Sequence, residues 1–263
     1  VHGAGPRPGE SSSDRWALLD DEAARHGLHV RAVFAPEPAD DVPALESGEP
    51  ARALALVGNV GSSLWPSFSA SAEHGDGEPD PLDRWSRRIG TSLAQRLGAR
   101  VLFPFGGPPH HPFQRWAMRG GALHASPIGL LVDAEHGLWH AFRFALAFAE
   151  PLAGPNRSPS GDAAHSPCAT CAARPCLQAC PVDAFVEGEY RVARCVAHLA
   201  ARPAGPCIST GCLARHACPV GQAFRYLPAQ ARLHMRAFAG RRAAATGGTL
   251  SAPAGSCGSS RPS

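Results

Sequence analysis

The chain has no lysine: every one of its 25 basic residues is arginine. Methionine and tyrosine are scarce, at two each. Beside 28 glycines, 26 prolines and abundant alanine, the missing lysine reads as a bias of genome composition. The arginines are scattered among 22 acids, which leaves a net charge of +3 and no basic stripe of the kind that tracks nucleic acid. No apolar run suits a bilayer span, because the most apolar stretch, 128–149, is interrupted by Asp133, Glu135, His136 and Arg143. Residues 1–14 lack the apolar h-region of a signal peptide, so a cytoplasmic location is expected.

Cysteine is what stands out. Eight of the nine lie between Cys168 and Cys218, and the ninth, Cys257, falls in a Gly/Ser-rich tail and reads as a plain free thiol. In a reducing compartment such clustered thiols are metal ligands rather than disulfide partners. The first group reads Cys168-x2-Cys171-x4-Cys176-x3-Cys180-Pro181. The second is Cys195, then Cys207-x4-Cys212-x5-Cys218-Pro219. In two-cluster ferredoxins, three close cysteines grip one cubane and the cysteine before proline reaches across to the other. A cubane needs four thiolates around it, and one short loop supplies only three. Two 4Fe–4S clusters are therefore expected. Cys168, Cys171, Cys176 and Cys218 are assigned to one, and Cys180, Cys195, Cys207 and Cys212 to the other. Two zinc sites would also use four cysteines each, but from paired short hooks, and both groups here depart from the usual C-x2-C-x2-C spacing.

Composition divides the rest of the chain. Residues 1–13 and 242–263 read as disordered tails, 14–153 as an α/β domain, 154–167 as a Pro/Gly/Ser linker, and 168–241 as the cysteine module with a helix over 220–239. Within the front domain a helix is expected over 14–26, capped by Ser12 or Ser13 and stopped by Gly27. Strands are expected at 28–34, 53–57 and 101–103, loops at 40–50 and 67–79, and a short helix at 111–119. Asp80-Pro81 opens the clearest helix, with Leu82, Trp85, Ile89 and Leu93 on one face and Gly98 as its stop. A hairpin is expected from strands at 128–132 and 138–147. The order predicts an α/β (α+β) fold in which helices flank a mixed sheet.

Residues 117–139, with Gly120-Gly121-Ala122-Leu123, Pro127, Gly129 and Gly137, resemble a motif of the epoxyqueuosine reductase family, which also places a two-cluster ferredoxin module after a cobalamin-binding domain and a lone cysteine between its cysteine groups, as Cys195 is here. His111-Pro112 with Gly137, Trp139, Ala141 and Arg143 is similar to CblC-type cobalamin-processing proteins. The resemblance covers about residues 50–225 and is carried most by the cysteine module. It implies a nitroreductase-like front domain holding a base-off corrinoid that the clusters reduce, with electrons arriving from a redox partner, and hence a cobalamin-dependent or cobalamin-processing reductase. A flavin such as FMN on the same fold is an alternative, and so is a pure carrier or docking subunit. No catalytic residue is assigned. The cofactor pocket is expected between the two domains, with Leu130, Trp139 and Phe142 as its apolar part and Ser126 and Arg143 as anchors.

Beside these stand plainer readings. Trp85, Trp116 and Trp139 are more ordinary as core or rim aromatics. His110 and His111 fit a solvated loop. The Gly58–Ser63 turn could cradle a phosphate through its N–H groups or simply be tight. Arg143, inside an apolar strand, needs a partner or an anionic ligand.

Overall fold

A computed structural model describes residues 11–153, 165–186 and 189–245. Residues 154–164 of the expected 154–167 linker, the outer parts of both tails and Cys257 lie outside these residues. The front half comprises α1 (Ser12–Arg25), β1 (His29–Phe34), β2 (Ala53–Val60), α2 (Trp65–Ser69), α3 (Ala72–Gly75), α4 (Pro81–Leu97), β3 (Arg100–Leu102), α5 (Phe113–Gly120), β4 (His124–Ala125), β5 (Leu131–Val132) and β6 (His140–Phe148). The second half holds α6 (Pro175–Gln178), β7 (Phe185–Val186), β8 (Glu189–Tyr190), α7 (Val192–Ala201), α8 (Pro206–Ser209), α9 (Leu213–His216) and α10 (Pro228–Ala245).

The main sheet runs β1-β2-β6-β3, and every pairing in it is antiparallel, not mixed. Its central strands are apolar on both faces, so their sequence carries no sign of direction. Helices cover both sides. On one face Leu19 and Ala23 of α1 and Trp85, Ile89 and Leu93 of α4 pack on Val57, Phe144 and Leu146. On the other, Phe113, Trp116 and Ala117 of α5 pack on Leu54, Leu56, Ala145 and Ala147. Each large side chain so buried contributes roughly 1.5–3 kcal/mol.

Several expectations are corrected. The cap of α1 is Ser11, whose Oγ accepts from Asp14 N–H at 3.1 Å. Asp80 does not cap α4 with its side chain. Its backbone is left-handed (φ 51°), and its carbonyl accepts from the N–H groups of Asp83 and Arg84. The expected loop at 67–79 contains α2 and α3, held by burial of Phe68 more than by helix propensity. The expected hairpin of 128–132 with 138–147 does not form as a sheet. β5 pairs with β4, while β6 pairs with β2 and β3. Helix α10 starts at Pro228 rather than 220 and runs on to Ala245, into the expected tail.

Both buried arginines of the sheet occupy bulges. The β1–β2 register skips Arg31, and the β2–β6 register skips Arg143. A bulge adds an unpaired residue and re-aims its side chain, so a polar group can leave an otherwise apolar strand. Arg31 reaches Asp133 at 2.7 Å, with both side chains buried. Asp133 also accepts from Glu135 N–H at 2.9 Å and from His136, and with Gly137 it closes a tight turn. Burial alone would raise its pKa, but the His136 hydrogen bonds and the Arg31 charge outweigh it and hold Asp133 at about 2.

That turn is where the two halves meet. Gly137 (φ 58°) faces Val220, and a Cβ on it would lie 2.2 Å from the Val220 carbonyl oxygen. Gly221 (φ 69°) faces the turn in return, and its Cβ would lie 2.1 Å from the His136 oxygen. Ile128, Val132 and Leu138 of the front half share one core with Cys180, Ala184, Phe185, Ala214 and Cys218. Trp139 packs edge-on against Tyr226 at 5.5 Å, and the Arg215 guanidinium lies over both rings at 4.6 and 4.4 Å. Arg215 also donates to the Leu138 carbonyl at 3.0 Å.

Two stability predictions follow from this seam. Gly137→Ala adds a side chain at a left-handed residue with no room for it, and should cost about 2 kcal/mol or more in urea unfolding. Asp133→Asn strands a buried guanidinium and should cost roughly 3 kcal/mol, most of it regained in the Arg31→Leu/Asp133→Asn double variant, which keeps an oxygen at position 133 for the N–H groups of Glu135 and His136. Equal losses in the single and double variants would contradict the pairing.

Candidate metal centres

The cysteine segment uses one local device twice. Pro175 and Pro206 each open a short helix at its first position, where a missing N–H costs nothing, and Cys176 and Cys207 follow directly. Cys168 and Cys171 precede the first of these helices on a chain of turns, and Arg174 enters it in a left-handed conformation (φ 39°). Cys212 immediately precedes α9, and Cys218 lies just beyond it. Cys195 is on α7. Cys180 accepts from Ala184 N–H at 3.3 Å. All eight thiols are free, with Cys180, Cys207 and Cys218 buried and the others half-buried.

Their mutual electrostatics sort them into two sets. Cys168 feels Cys218 and Cys171, and Cys176 feels Cys168, Cys218 and Cys171. Cys195 feels Cys180 and Cys207, Cys207 feels Cys180, and Cys212 feels Cys195 and Cys207. Every thiol influence on these five comes from within its own set. Burial, first, and these like-charged neighbours, second, push the thiols up. Cys212 rises to about 11 although the N–H groups of Arg215 and Ala214 favour its thiolate. Thiols gathered and buried in this way stay protonated unless a cation compensates their charge.

Cys168, Cys171, Cys176 and Cys218 ring a cavity of about 310 Å³, closed on the front-half side by Pro127 and Val132. A single zinc ion would draw four sulfurs to within about 2.3 Å of one point. Among the described residues, no group of three or more Cys, His, Asp or Glu side chains is arranged to hold one metal ion.

The five residues expected to line a cofactor pocket do not converge. Ser126 lies at the tip of the β4–β5 hairpin, where its N–H donates to Leu130 carbonyl at 2.9 Å. Leu130, at the same tip, is 37 % exposed. Trp139 is buried at the seam under Arg215 and Tyr226. Phe142 packs on the α5 side of the sheet. Arg143 goes to the α4 side, where its Nε donates to Ser86 at 2.9 Å and a terminal N–H to Asp83 at 2.6 Å. The cause is the chain path: β5 and β6 belong to separate sheets, so residues close in sequence part company. Trp85 and Trp116 are core, with Trp116 donating to the Asp40 carbonyl at 2.7 Å. The Gly58–Ser63 turn already spends its N–H groups internally, Val60 on Ser63 Oγ and Gly61 on the Trp139 carbonyl, so it makes no phosphate cradle.

Arg143 does line a larger cavity of about 930 Å³, together with Phe105 and His110 after β3 and His234, Arg236 and Phe238 of α10. Sequence reasoning missed the α10 contribution. Those residues sit some ninety positions from Arg143, on a helix with almost no amphipathic pattern, so only the fold brings them there. None of the described helices is long and apolar enough to cross a membrane. In comparisons with known proteins, the chain matches no family model, and no curated protein matches it significantly.

The sorting of thiols generates a direct expectation for metal loading. Cys195→Ala should lower the iron taken up on anaerobic reconstitution by about half, because one complete set of four ligands remains. Full iron uptake and an unchanged absorption spectrum in that variant would remove Cys195 from the ligand set.

Proposed function

We propose that this chain is an iron–sulfur electron-transfer protein that holds two 4Fe–4S clusters and passes electrons from a redox partner to an organic acceptor in its own front half. The observation that carries this reading is the gathering of eight cysteines within residues 168–218, with Cys218 brought beside Cys168, Cys171 and Cys176 around one cavity. Each set crosses the sequence groups: Cys218 joins Cys168, Cys171 and Cys176, while Cys180 joins Cys195, Cys207 and Cys212. Crossing of this kind is the ligation of two-cluster ferredoxins. The space ringed by the first set suits a four-iron body better than one ion. When bound, such clusters supply one-electron storage at low potential.

The chain's own residues do the rest. Burial keeps water from Cys180, Cys207 and Cys218, and the N–H groups of Arg215 and Ala214 favour the thiolate form of Cys212. Ile128, Val132 and Leu138 close the core over Cys180 and Cys218 and bring the front half into contact with them. We read the cysteine segment as a ferredoxin module and the helix-flanked sheet as nitroreductase-like. A corrinoid is the acceptor implied by the resemblance to epoxyqueuosine reductases and CblC-type proteins, which makes reductive cobalamin processing the reaction class of this reading.

Anaerobic reconstitution with iron and sulfide tests the proposal. About eight irons and eight sulfides per chain are expected. A chain that takes up zinc into the same thiols while excluding iron would overturn it.

A further inference from the structure

The chain's net charge of +3 conceals a division between its halves. Residues 11–153 carry twelve arginines against seventeen acids, whereas residues 165–245 carry ten arginines against three acids, Asp183, Glu187 and Glu189. The positive excess belongs to the cysteine segment, and part of it is gathered on one helix beside the second thiol set. Cys195 and Leu199 of α7, four positions apart, turn inward to an apolar cluster that they share with Cys207. One position back on each turn stand Arg194 and His198, with Arg191 and Arg202 at the two ends of the helix. Spacings of three and four put these four side chains on one side of α7, and all three arginines are exposed.

The contacts that these arginines already make are superficial. Arg191 pairs with exposed Glu189 at 3.0 Å, Arg194 reaches the Asp183 carbonyl at 3.5 Å, and Arg202 meets His198 at 3.1 Å. Contacts so exposed are held weakly against water, so incoming carboxylates can replace them. Tyr190 sits at the same end of α7 as Arg191 and is 37 % exposed. Its ring stacks on Phe185 at 4.6 Å, and it hydrogen-bonds with Cys195, so a surface tyrosine lies one hydrogen bond from a thiol of the second set. Tyrosine and arginine are the side chains that concentrate at the centres of protein–protein contacts. The patch is also short and mixed in sign, with Glu189 beside Arg191 on a helix of about 15 Å. A surface that tracks phosphates is extended and uniformly basic. The first thiol set faces the other way, its cavity closed on the front-half side by Pro127 and Val132.

We propose that this edge of α7 is where an acidic electron-donor protein docks, its carboxylates on Arg191, Arg194 and Arg202 and Tyr190 at the centre of the contact. The inference rests on the two-cluster reading and adds to it the class of the redox partner and the side by which electrons enter. One electron leaves the donor's reduced iron–sulfur centre, which is oxidised, and reduces the second cluster; no bond forms or breaks and no proton moves. Exposed charges of this kind set how fast partners meet, and the rate they add is lost as salt screens them.

The test uses full-length protein after anaerobic reconstitution, with iron and sulfide counted on every sample. The probe is an acidic plant-type 2Fe–2S ferredoxin of low potential, and reduced methyl viologen, a small cation, is the control reductant. In stopped-flow mixing, the second-order rate constant with reduced ferredoxin should fall steeply as salt rises. Arg191→Ala/Arg194→Ala/Arg202→Ala should lower that constant at least about tenfold at low salt, flatten its salt dependence, and raise the Kd for oxidised ferredoxin by a similar factor. Its iron content and its rate with viologen should stay unchanged. Arg52→Ala/Arg87→Ala/Arg115→Ala removes three exposed arginines of the front half and should leave the ferredoxin rate close to that of the unsubstituted protein. An iron-loaded protein whose ferredoxin rate and Kd ignore salt and the α7 substitutions, or equal losses in the two triple variants, would overturn the docking surface and leave the two-cluster reading standing. Loss of iron or of the viologen rate in the α7 variant would also overturn it, by assigning those arginines to the cluster site itself. Retention of a short RNA or DNA at physiological salt, lost in the α7 variant while the ferredoxin rate is kept, would give the surface to nucleic acid instead. A chain that takes up no iron would sink the two-cluster reading together with this inference.

Discussion

The mutual approach of Gly137 and Gly221 is the contact on which the rest of the arrangement depends. Each glycine sits in a left-handed conformation and faces the backbone of the other's segment at a distance no side chain permits. One belongs to the Asp133 turn, braced from the sheet by Arg31. The other follows Cys218 by three residues, so the same contact places Cys218 against the front half and beside Cys168 and Cys176. Downstream of Gly221 the chain runs through Phe224 and Tyr226 into α10, which then lies along the cavity containing Arg143. Thiol set, seam and cavity thus share one anchor.

Electrostatics give the arrangement its direction. The sheet hosts two buried arginines only because bulges let them leave the strand faces, and each is answered by an aspartate, Asp133 or Asp83. The thiols are treated in the opposite way. They are gathered together, and their raised pKa values record burial first and the neighbouring thiols second, with Arg174 only partly offsetting the rise at Cys168. Buried like charges without a counterion are unstable unless protonated or bound to a cation. In the proposed reading a polynuclear metal group would supply that cation in the space of about 310 Å³ that the first set lines.

How much of this was legible in the sequence depended on how local each feature is. Cysteine spacing is a local code with its own chemistry, and it singles out the eight clustered residues before any fold is known. Helix α4 was readable because Leu82, Trp85, Ile89 and Leu93 repeat at helical spacing and all face the core. The role of Asp80 was not, since its backbone is left-handed and its carbonyl, not its side chain, meets the first N–H groups of the helix. Strand direction was hidden by strands that are apolar on both faces. The pairing of β5 with β4 instead of β6 was hidden because the Asp133–Gly137 turn looks like a hairpin turn and does close on itself, yet the chain then leaves for another sheet. Arg143 was correctly marked as needing a partner, but its cavity is assembled from α4, the segment after β3, β6 and α10, a juxtaposition no single stretch of sequence encodes.

The central claim is that eight thiols hold two clusters near enough to act together. Electron paramagnetic resonance of the anaerobically reconstituted, fully reduced protein tests it most directly. The account predicts about two reduced centres per chain whose signals are broadened and split by each other, and the loss of that splitting in either Cys218→Ser or Cys180→Ser, since each variant disables one crossing ligand. A single isolated signal in the unsubstituted protein, or two that persist unsplit, would contradict it.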